Sequence, residues 1–331
     1  MKTNFDFTLR GKDWWGPFLG FWVLFLVFYV PSTLVGQMVP TLVAKTGLYF
    51  LLLLVSLIAM VILEAIFMII FLRIVMPKLS IGGKAFAFKG DIGKYLWMNV
   101  VGILLSIVTL TIYMPWYIRR IVAYLVSETT FDGTNPEFLS KGGKLFKYFL
   151  LALWIPVLVI SVVFGVMLGV AIAGSSMGMG GYGIEAAPAS TTFVLVLVIF
   201  VVIVPFIYLM YKWYVNIRWN DVTIAWKTSF WPSCWYILGQ MLLTAITLGI
   251  YWPAAVLRLY RYVAAKTVLS KGDAEIGRLG FEGGMGKGFG LIWGQTLLSI
   301  ITLGIYIPWA CANVGRWLLG ATFFEQSSPS A

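Results

Sequence analysis

The chain has 331 residues, of which 60% are hydrophobic and only 11% are charged, and its mean hydropathy is +0.92. A soluble protein of this size carries charge on about a quarter of its residues, so this composition excludes a soluble globular protein. A net charge of +11 would indicate a nucleic-acid partner in a soluble protein. Here we expect no nucleic acid, because basic residues that flank membrane segments contact anionic lipid headgroups on the cytoplasmic side.

The residue types present exclude most enzymatic chemistry. The chain has no histidine, which removes histidine-ligated haem, most zinc chemistry and every histidine-dependent nucleophilic triad. Every aspartate lies in or near a polar segment, so no facing pair of an intramembrane aspartyl protease is expected. We therefore predict a non-enzymatic protein with no catalytic residue, no cofactor and no metal.

Long apolar runs in chain order predict membrane spans. The runs begin near residues 18, 47, 145 and 192 and end near residues 30, 76, 173 and 210, and a helix needs roughly 20 residues to cross the hydrocarbon. No small-residue cleavage pattern follows the first run, so we interpret it as an uncleaved span. The segment 173–190 is rich in Gly, Ser and Met and predicts a flexible extracytoplasmic connector.

One apolar segment of fifteen residues occurs three times in the chain. Residues 239–253 (GQMLLTAITLGIYWP) and 294–308 (GQTLLSIITLGIYIP) are identical at eleven of fifteen positions, and residues 101–115 match the latter at nine. The proline of each copy, and the glycine of the TLGIYxP stretch in the two later copies, break a helix, so each copy predicts the turn of a helical hairpin. A strand-like turn is predicted at residues 84–90, where KAFAFKG alternates in polarity.

These repeats divide the chain into about five units. We predict an all-α polytopic membrane protein of five helical-hairpin units, in which compact units have proline-broken short or re-entrant legs. The units are two long ones at residues 1–85 and 138–226, the latter with the extracytoplasmic connector, and three compact ones at residues 86–137, 227–278 and 279–331.

The run ITLGIYxPW, followed by an Arg-aromatic pair, a Thr, a Gly turn and FxFxG, resembles the YjgN-like family of bacterial inner-membrane proteins, a domain of unknown function. The resemblance covers most of the chain from about residue 86. It implies a multi-pass protein of the bacterial inner membrane and brings no established activity. Relatives are often encoded near a membrane-associated zinc peptidase, so the resemblance implies a membrane-protein partner of that kind.

The placement of lysine and arginine favours hairpins. If each compact unit returns to its starting side, the short inter-span segments place 16 basic residues on one side and one, Lys45, on the other. If each compact unit crosses once, the split is 11 to 6. Because basic residues favour the cytoplasmic side, we expect the hairpin arrangement with a cytoplasmic N-terminus.

A small set of polar residues in apolar surroundings forms the candidate site. Glu64 is the carboxylate deepest in an apolar run, and it serves either as the partner of an arginine in another unit or as an ion or proton relay. The second legs carry five arginines, which either bind an anion or lipid phosphate or extend to the interface: Arg119, Arg120, Arg258, Arg261 and Arg316. Gln240 and Gln295 occupy equivalent positions, where hydrogen bonds between helices are expected.

Two functions from different classes follow. In the first, a transporter-like repeat architecture binds or moves a small solute, an anion or a lipid at these residues. In the second, the protein is an accessory or scaffolding subunit of a larger membrane complex, for example with a membrane peptidase.

Overall fold

The computed structural model describes residues 2–38, 47–176 and 189–326. Within these ranges the chain passes five times from a strand through a helical hairpin to another strand, and we call these passages units 1 to 5. Lys45 and most of the predicted extracytoplasmic connector lie outside the described residues.

Each unit contributes two strands, one before and one after its hairpin. In the described residues the strands are β1 (Lys2–Phe7), β2 (Leu79–Ile81), β3 (Lys84–Phe88), β4 (Thr129–Phe131), β5 (Glu137–Phe138), β6 (Asn216–Trp219), β7 (Val222–Trp226), β8 (Thr267–Lys271), β9 (Ala274–Phe281) and β10 (Thr322–Gln326).

The helices form the legs of the hairpins. Unit 1 holds α1 (Gly11–Met38) and α2 (Gly47–Val75), and unit 2 holds α3 (Ile92–Val108) and α4 (Met114–Ser127). Unit 3 holds α5 (Gly142–Phe149), which continues through a π-turn into α6 (Ile155–Ser176), and then α7 (Ala189–Tyr214). Units 4 and 5 hold α8 (Phe230–Ile246), α9 (Trp252–Lys266), α10 (Met285–Ile301) and α11 (Ile307–Gly320).

The strands of all five units join one antiparallel sheet. Its order is β4-β3-β2-β1-β10-β9-β8-β7-β6-β5, so β10 of the last unit pairs with β1 of the first. Strands β4 and β5 stand at opposite ends of this order although only residues 132–136 separate them. The ring of Phe131 lies 4.9 Å from that of Trp219, so the sheet curls until its two ends approach each other.

The all-α polytopic fold expected from the sequence is therefore wrong. Helices dominate, but both ends of every hairpin enter the sheet. The strands are two to eight residues long, and most gain their hydrogen bonds from strands that lie far away in the chain or across a tight turn. A local pattern does not carry that information, and only the alternating stretch at β3 was predicted as strand-like, which is confirmed.

The first strand of each unit ends on a buried aromatic side chain. These residues are less than a tenth exposed: Phe7, Phe88, Phe138, Trp226 and Phe281. Phe281 packs edge-on against Tyr260 of unit 4 and Trp317 of its own unit, with ring centroids 5.3 and 5.6 Å away. Trp226 packs against Tyr208 of unit 3 at 5.3 Å. In units 4 and 5 this aromatic therefore joins its unit to the preceding one.

A glycine two residues later makes room for the aromatic in two units. A Cβ added to Gly90 would lie 2.4 Å from the ring of Phe88, and one added to Gly283 would lie 2.2 Å from the ring of Phe281. Both contacts are too short for a side chain. This geometry explains why units 2 and 5 share a Phe-x-Gly pattern where the strand leads into the first helix.

Neighbouring hairpins pack into a closed ring of helices, whereas the sheet order stays open between β4 and β5. The second leg of each unit packs against the first leg of the next, and α11 packs against α1. The compact legs have 14 to 17 residues, so they rise about 21–25 Å. Their second legs begin at the repeated prolines Pro115, Pro253 and Pro308, which fit the first helical turn and are fully buried.

The tips of the compact hairpins are apolar and exposed. A leucine with positive φ occupies each tip and is more than four-fifths exposed: Leu110, Leu248 and Leu303. By contrast, five ion pairs among the described residues surround the sheet, including Lys2–Glu282, Arg218–Glu137 and Lys84–Asp132. The hydrogen bond from Lys2 to Glu282 raises the pKa of the Lys2 side chain. Polarity thus falls from the sheet, which we call the base, to the tips.

Three helices in the described part of the chain are long and apolar enough to cross a membrane: Gly11–Val30, Leu51–Lys78 and Gly142–Val163. All three belong to the long units 1 and 3. In each compact unit the first leg starts at the sheet and the second leg returns to it, so the unit is a hairpin rather than a single crossing.

Replacing Phe281 by alanine should lower the free energy of unfolding by about 3–5 kcal/mol, because the change removes a buried ring between two units. The half-buried Phe86 provides the matched control, and Phe86→Ala should cost less than half as much. Thermal unfolding of both variants in one mild detergent measures the difference. Equal losses would show that the aromatic at the strand end has no special role.

Thr111 stands in the left-handed region, with φ +71°, where units 4 and 5 have Gly249 and Gly304 at φ +86° and +89°. A β-branched residue is strained there by about 1–2 kcal/mol. Thr111→Gly should therefore raise the stability by about 1 kcal/mol, since the added freedom of the unfolded glycine offsets part of the relief. The reciprocal Gly249→Thr should lower the melting temperature. A lower melting temperature for Thr111→Gly would contradict this account of the turn.

Candidate anion-binding clefts and an intramembrane polar chain

The five predicted arginines lie on the second legs of the compact units and are exposed. Arg258 and Arg261 share one cleft on unit 4, and Arg316 lines a second cleft on unit 5. Arg119 donates from Nε to the carbonyl of Ser140 at 3.4 Å and so links unit 2 to unit 3. The arginines are therefore distributed over units and do not share one site.

The cleft of unit 4 has a volume of about 520 Å³ and is lined by Tyr236, Arg258, Arg261, Tyr262, Ala265 and Met285. Its two tyrosine rings stack with centroids 4.6 Å apart. The guanidinium of Arg258 lies 5.5 Å from the ring of Tyr251. In the described residues neither Arg258 nor Arg261 forms an ion pair with a carboxylate. Two guanidiniums one helical turn apart are thus free to bind an anion.

The equivalent cleft of unit 5 has a volume of about 450 Å³ and is lined by Lys287, Leu291, Asn313, Arg316 and Trp317. By the alignment of the repeats, Arg316 stands where unit 4 has Arg261, and Asn313 stands where unit 4 has Arg258. Arg316 donates to Asn313 Oδ1 at 2.6 Å, which fixes the guanidinium beside the helix. Lys287 restores a second positive charge to this cleft.

The two predicted glutamines connect the legs of their own hairpins. Gln240 is buried, and its Oε1 accepts a hydrogen bond from the Tyr251 hydroxyl at 2.9 Å. Gln295 Oε1 accepts from Asn313 Nδ2 at 3.0 Å. These bonds hold the second legs, and with them the arginines, in a fixed rotation against the first legs.

Glu64 lies on α2 and faces unit 2. Its Oε1 accepts a hydrogen bond from the Tyr95 hydroxyl at 3.4 Å. Arg73, on the same helix, instead donates to the carbonyl of Gly90 at 2.6 Å. Within the described ranges no arginine or lysine forms an ion pair with Glu64, so the arginine partner considered from the sequence is not present there.

Behind Tyr95, hydrogen bonds continue across unit 2. The buried Asn99 donates from Nδ2 to the carbonyl of Tyr95 at 2.9 Å. The Tyr117 hydroxyl donates to Asn99 Oδ1 at 2.5 Å. Gly102 makes room for this tyrosine, because a Cβ there would lie 1.9 Å from the Tyr117 ring. The polar chain therefore links α2, α3 and α4.

Sequence reasoning missed Tyr95, Asn99 and Tyr117, although the repeats contain a signal. Asn99 stands where units 4 and 5 have Ile237 and Ile292, and a polar residue at an otherwise apolar position of a repeat indicates a local role. In the described part of the chain no cluster of three or more Cys, Asp or Glu side chains offers a metal site.

Gly102→Ala should lower stability by about 1–3 kcal/mol, since the methyl group would displace the Tyr117 ring and break its bond to Asn99. Gly239 is the matched control, because it lies in the first leg of unit 4 with open space around its Cα. Gly239→Ala should be neutral or stabilising by up to about 1 kcal/mol. Equal melting temperatures for the two variants would contradict the tight packing at Gly102.

Comparison with known proteins identifies the family. The family model described as bacterial protein of unknown function (DUF898) matches residues 83–164, 148–275 and 277–328. A 72-residue segment is 31% identical to inner membrane protein YjgN of Escherichia coli K12 and to the protein of the same name in E. coli O157:H7.

That segment covers 22% of this chain and 18% of each relative, so the match spans less than a fifth of the curated relatives. No solved structure matches the chain. The three matches to the family model together cover most of the chain, and they agree with the resemblance predicted from the repeated motif. The chain therefore belongs to DUF898, the YjgN-like family of bacterial membrane proteins of unknown function.

Proposed function

We propose that this protein is a non-enzymatic protein of the bacterial inner membrane whose clefts bind the phosphate groups of anionic lipids. The observation that carries the proposal is the pair Arg258 and Arg261, which lies beside stacked tyrosines without a carboxylate partner in the described residues. Guanidinium groups bind phosphate through two parallel hydrogen bonds, and aromatic neighbours favour the membrane interface.

The distance of the clefts from the sheet matches the level of the lipid headgroups. In our proposal the charged base lies at the cytoplasmic surface with the N-terminus on that side, and the apolar tips enter the hydrocarbon. Arg261 and Arg316 each precede the next strand by six residues, which is about 9 Å along a helix. Trp97, Trp231 and Trp235, each about two-thirds exposed, lie on first legs near the base and support an interfacial position.

A lipid fits the clefts better than a free anion. Met285 in one cleft and Leu291 in the other supply apolar contact beside the charges, as a headgroup with attached acyl chains requires. In this proposal the long units 1 and 3 anchor the protein across the membrane, and the compact hairpins hold lipids at its cytoplasmic leaflet. Binding of this kind is also the first step of moving a lipid.

The accessory-subunit alternative uses the same residues differently. A partner protein, such as a membrane peptidase, would then contact the exposed arginines and apolar tips. This alternative predicts a protein that copurifies in stoichiometric amount and is lost when the arginines are replaced. The lipid proposal predicts that anionic lipid is lost instead.

Native mass spectrometry after purification in mild detergent tests the proposal. The unmodified protein should retain anionic phospholipid, and the double variant R258Q/R261Q should retain at least tenfold less, since each charge-assisted bond to phosphate contributes about 1.5–3 kcal/mol.

Arg278 provides the control, because it pairs with Glu275 in the sheet, and R278Q should retain lipid as the unmodified protein does. Equal retention in all three proteins would contradict the proposal. Loss of a stoichiometric protein from the double variant, with lipid unchanged, would favour the accessory subunit.

A further inference from the structure

Unit 2 differs from the other two compact units, units 4 and 5 (its sister units), at four positions that lie close together. These positions hold Tyr95, Asn99, Gly102 and Tyr117 in unit 2. The aligned residues are Ser233, Ile237, Gln240 and Ala255 in unit 4, and Gly288, Ile292, Gln295 and Ala310 in unit 5. Neither sister unit can build the same chain of hydrogen bonds, since both have isoleucine and alanine where unit 2 has asparagine and tyrosine.

All four residues belong to the group of contacts that leads to the carboxylate of Glu64. Tyr95 donates to Glu64, Asn99 bonds to the backbone of Tyr95, and Tyr117 bonds to Asn99. Gly102 admits the ring of Tyr117 where the sister units carry glutamine. In the described residues unit 2 is the compact unit that packs against α2, where Glu64 lies, and it is also the unit with this chain, which indicates a built site rather than chance polarity.

The groups that face Glu64 carry no positive charge in the described residues. From α3 and α4 the titratable groups are the hydroxyls of Tyr95 and Tyr117. From α1 the neighbouring residues are apolar, because Phe21 stacks on Phe67 at 4.6 Å, one turn from Glu64.

Three cations of the neighbouring helices are placed elsewhere. Arg73 lies nine residues along α2, about 13 Å away, and bonds to Gly90. Lys94 pairs with Glu128 at 3.6 Å near the base. Lys12 and Asp13 lie in the first turn of α1 at the base. An ionised Glu64 would therefore stand in an apolar span with hydroxyl contacts alone, which is expensive.

We propose that Glu64 is a proton-binding site, which takes up and releases one proton inside the membrane while Tyr95 stabilises the charged form. One proton removes the unpaired charge and leaves the hydrogen-bonded chain intact. Both hydroxyls of the chain already have an acceptor, Glu64 for Tyr95 and Asn99 for Tyr117, whereas a divalent metal ion takes about six oxygens around one point. This site is independent of the lipid clefts, which lie on units 4 and 5.

The apolar reagent dicyclohexylcarbodiimide tests the proposal, because it adds covalently to protonated carboxyl groups in membranes. The full-length protein in liposomes is treated between pH 5 and 9, and labelled peptides are quantified by mass spectrometry. Glu64 should be labelled near neutral pH, with labelling that falls as pH rises. Asp221, exposed at the base, should stay unlabelled throughout. Absence of label at Glu64, or labelling independent of pH, would overturn the proposal.

Two tyrosine variants separate proton binding from a merely structural role. Tyr95→Phe removes the donor to the charged carboxylate, so the labelling profile should move upward by about one pH unit. Tyr113→Phe is the matched control in the same unit, where the ring stacks on Trp116 near the tip, and its profile should not move. An unchanged profile for Tyr95→Phe would overturn the proposal, and so would protection of Glu64 by Na⁺ at constant pH, which would indicate a metal ion instead.

Discussion

The pairing of strands from different units is the constraint on which the rest of the structure depends. A unit alone would offer a two-stranded ribbon, which is marginally stable in water and exposes two edges. In the assembled chain β10 of unit 5 pairs with β1 of unit 1, so the sheet order begins and ends only at β4 and β5. Each hairpin is thereby fixed at both ends, and its second leg packs against the first leg of its neighbour.

This arrangement places residues of different chemistry at different distances from the sheet. Charged side chains and ion pairs surround the sheet. Buried aromatic residues such as Trp226 and Phe281 pack where each first strand leads into its helix. The exposed residues Leu248 and Leu303 lie at the tips. The arginine clefts lie between these levels. We propose from this gradient that the base lies in the membrane interface and the tips in the hydrocarbon.

Part of this architecture follows from the sequence. The repeated TLGIYxP stretch predicts the hairpin turns, and the apolar runs predict membrane helices. The sheet does not follow, because a two-residue strand such as β5 has no local pattern and pairs only after folding brings β6 beside it. Glu64 and the arginines were predicted from their apolar surroundings. Tyr95 and Tyr117 were not, since an aromatic residue in an apolar helix gives no sign of its hydroxyl partner.

Spin labels show directly where the base and the tips lie relative to the membrane. A label at Leu248 and, in a second protein, one at Lys271 are compared in liposomes for relaxation by oxygen, which partitions into lipid, and by a water-soluble nickel chelate. We expect the label at Leu248 to respond to oxygen and the label at Lys271 to respond to nickel. A strong response to nickel at Leu248 would contradict this placement, because the tips would then lie in water.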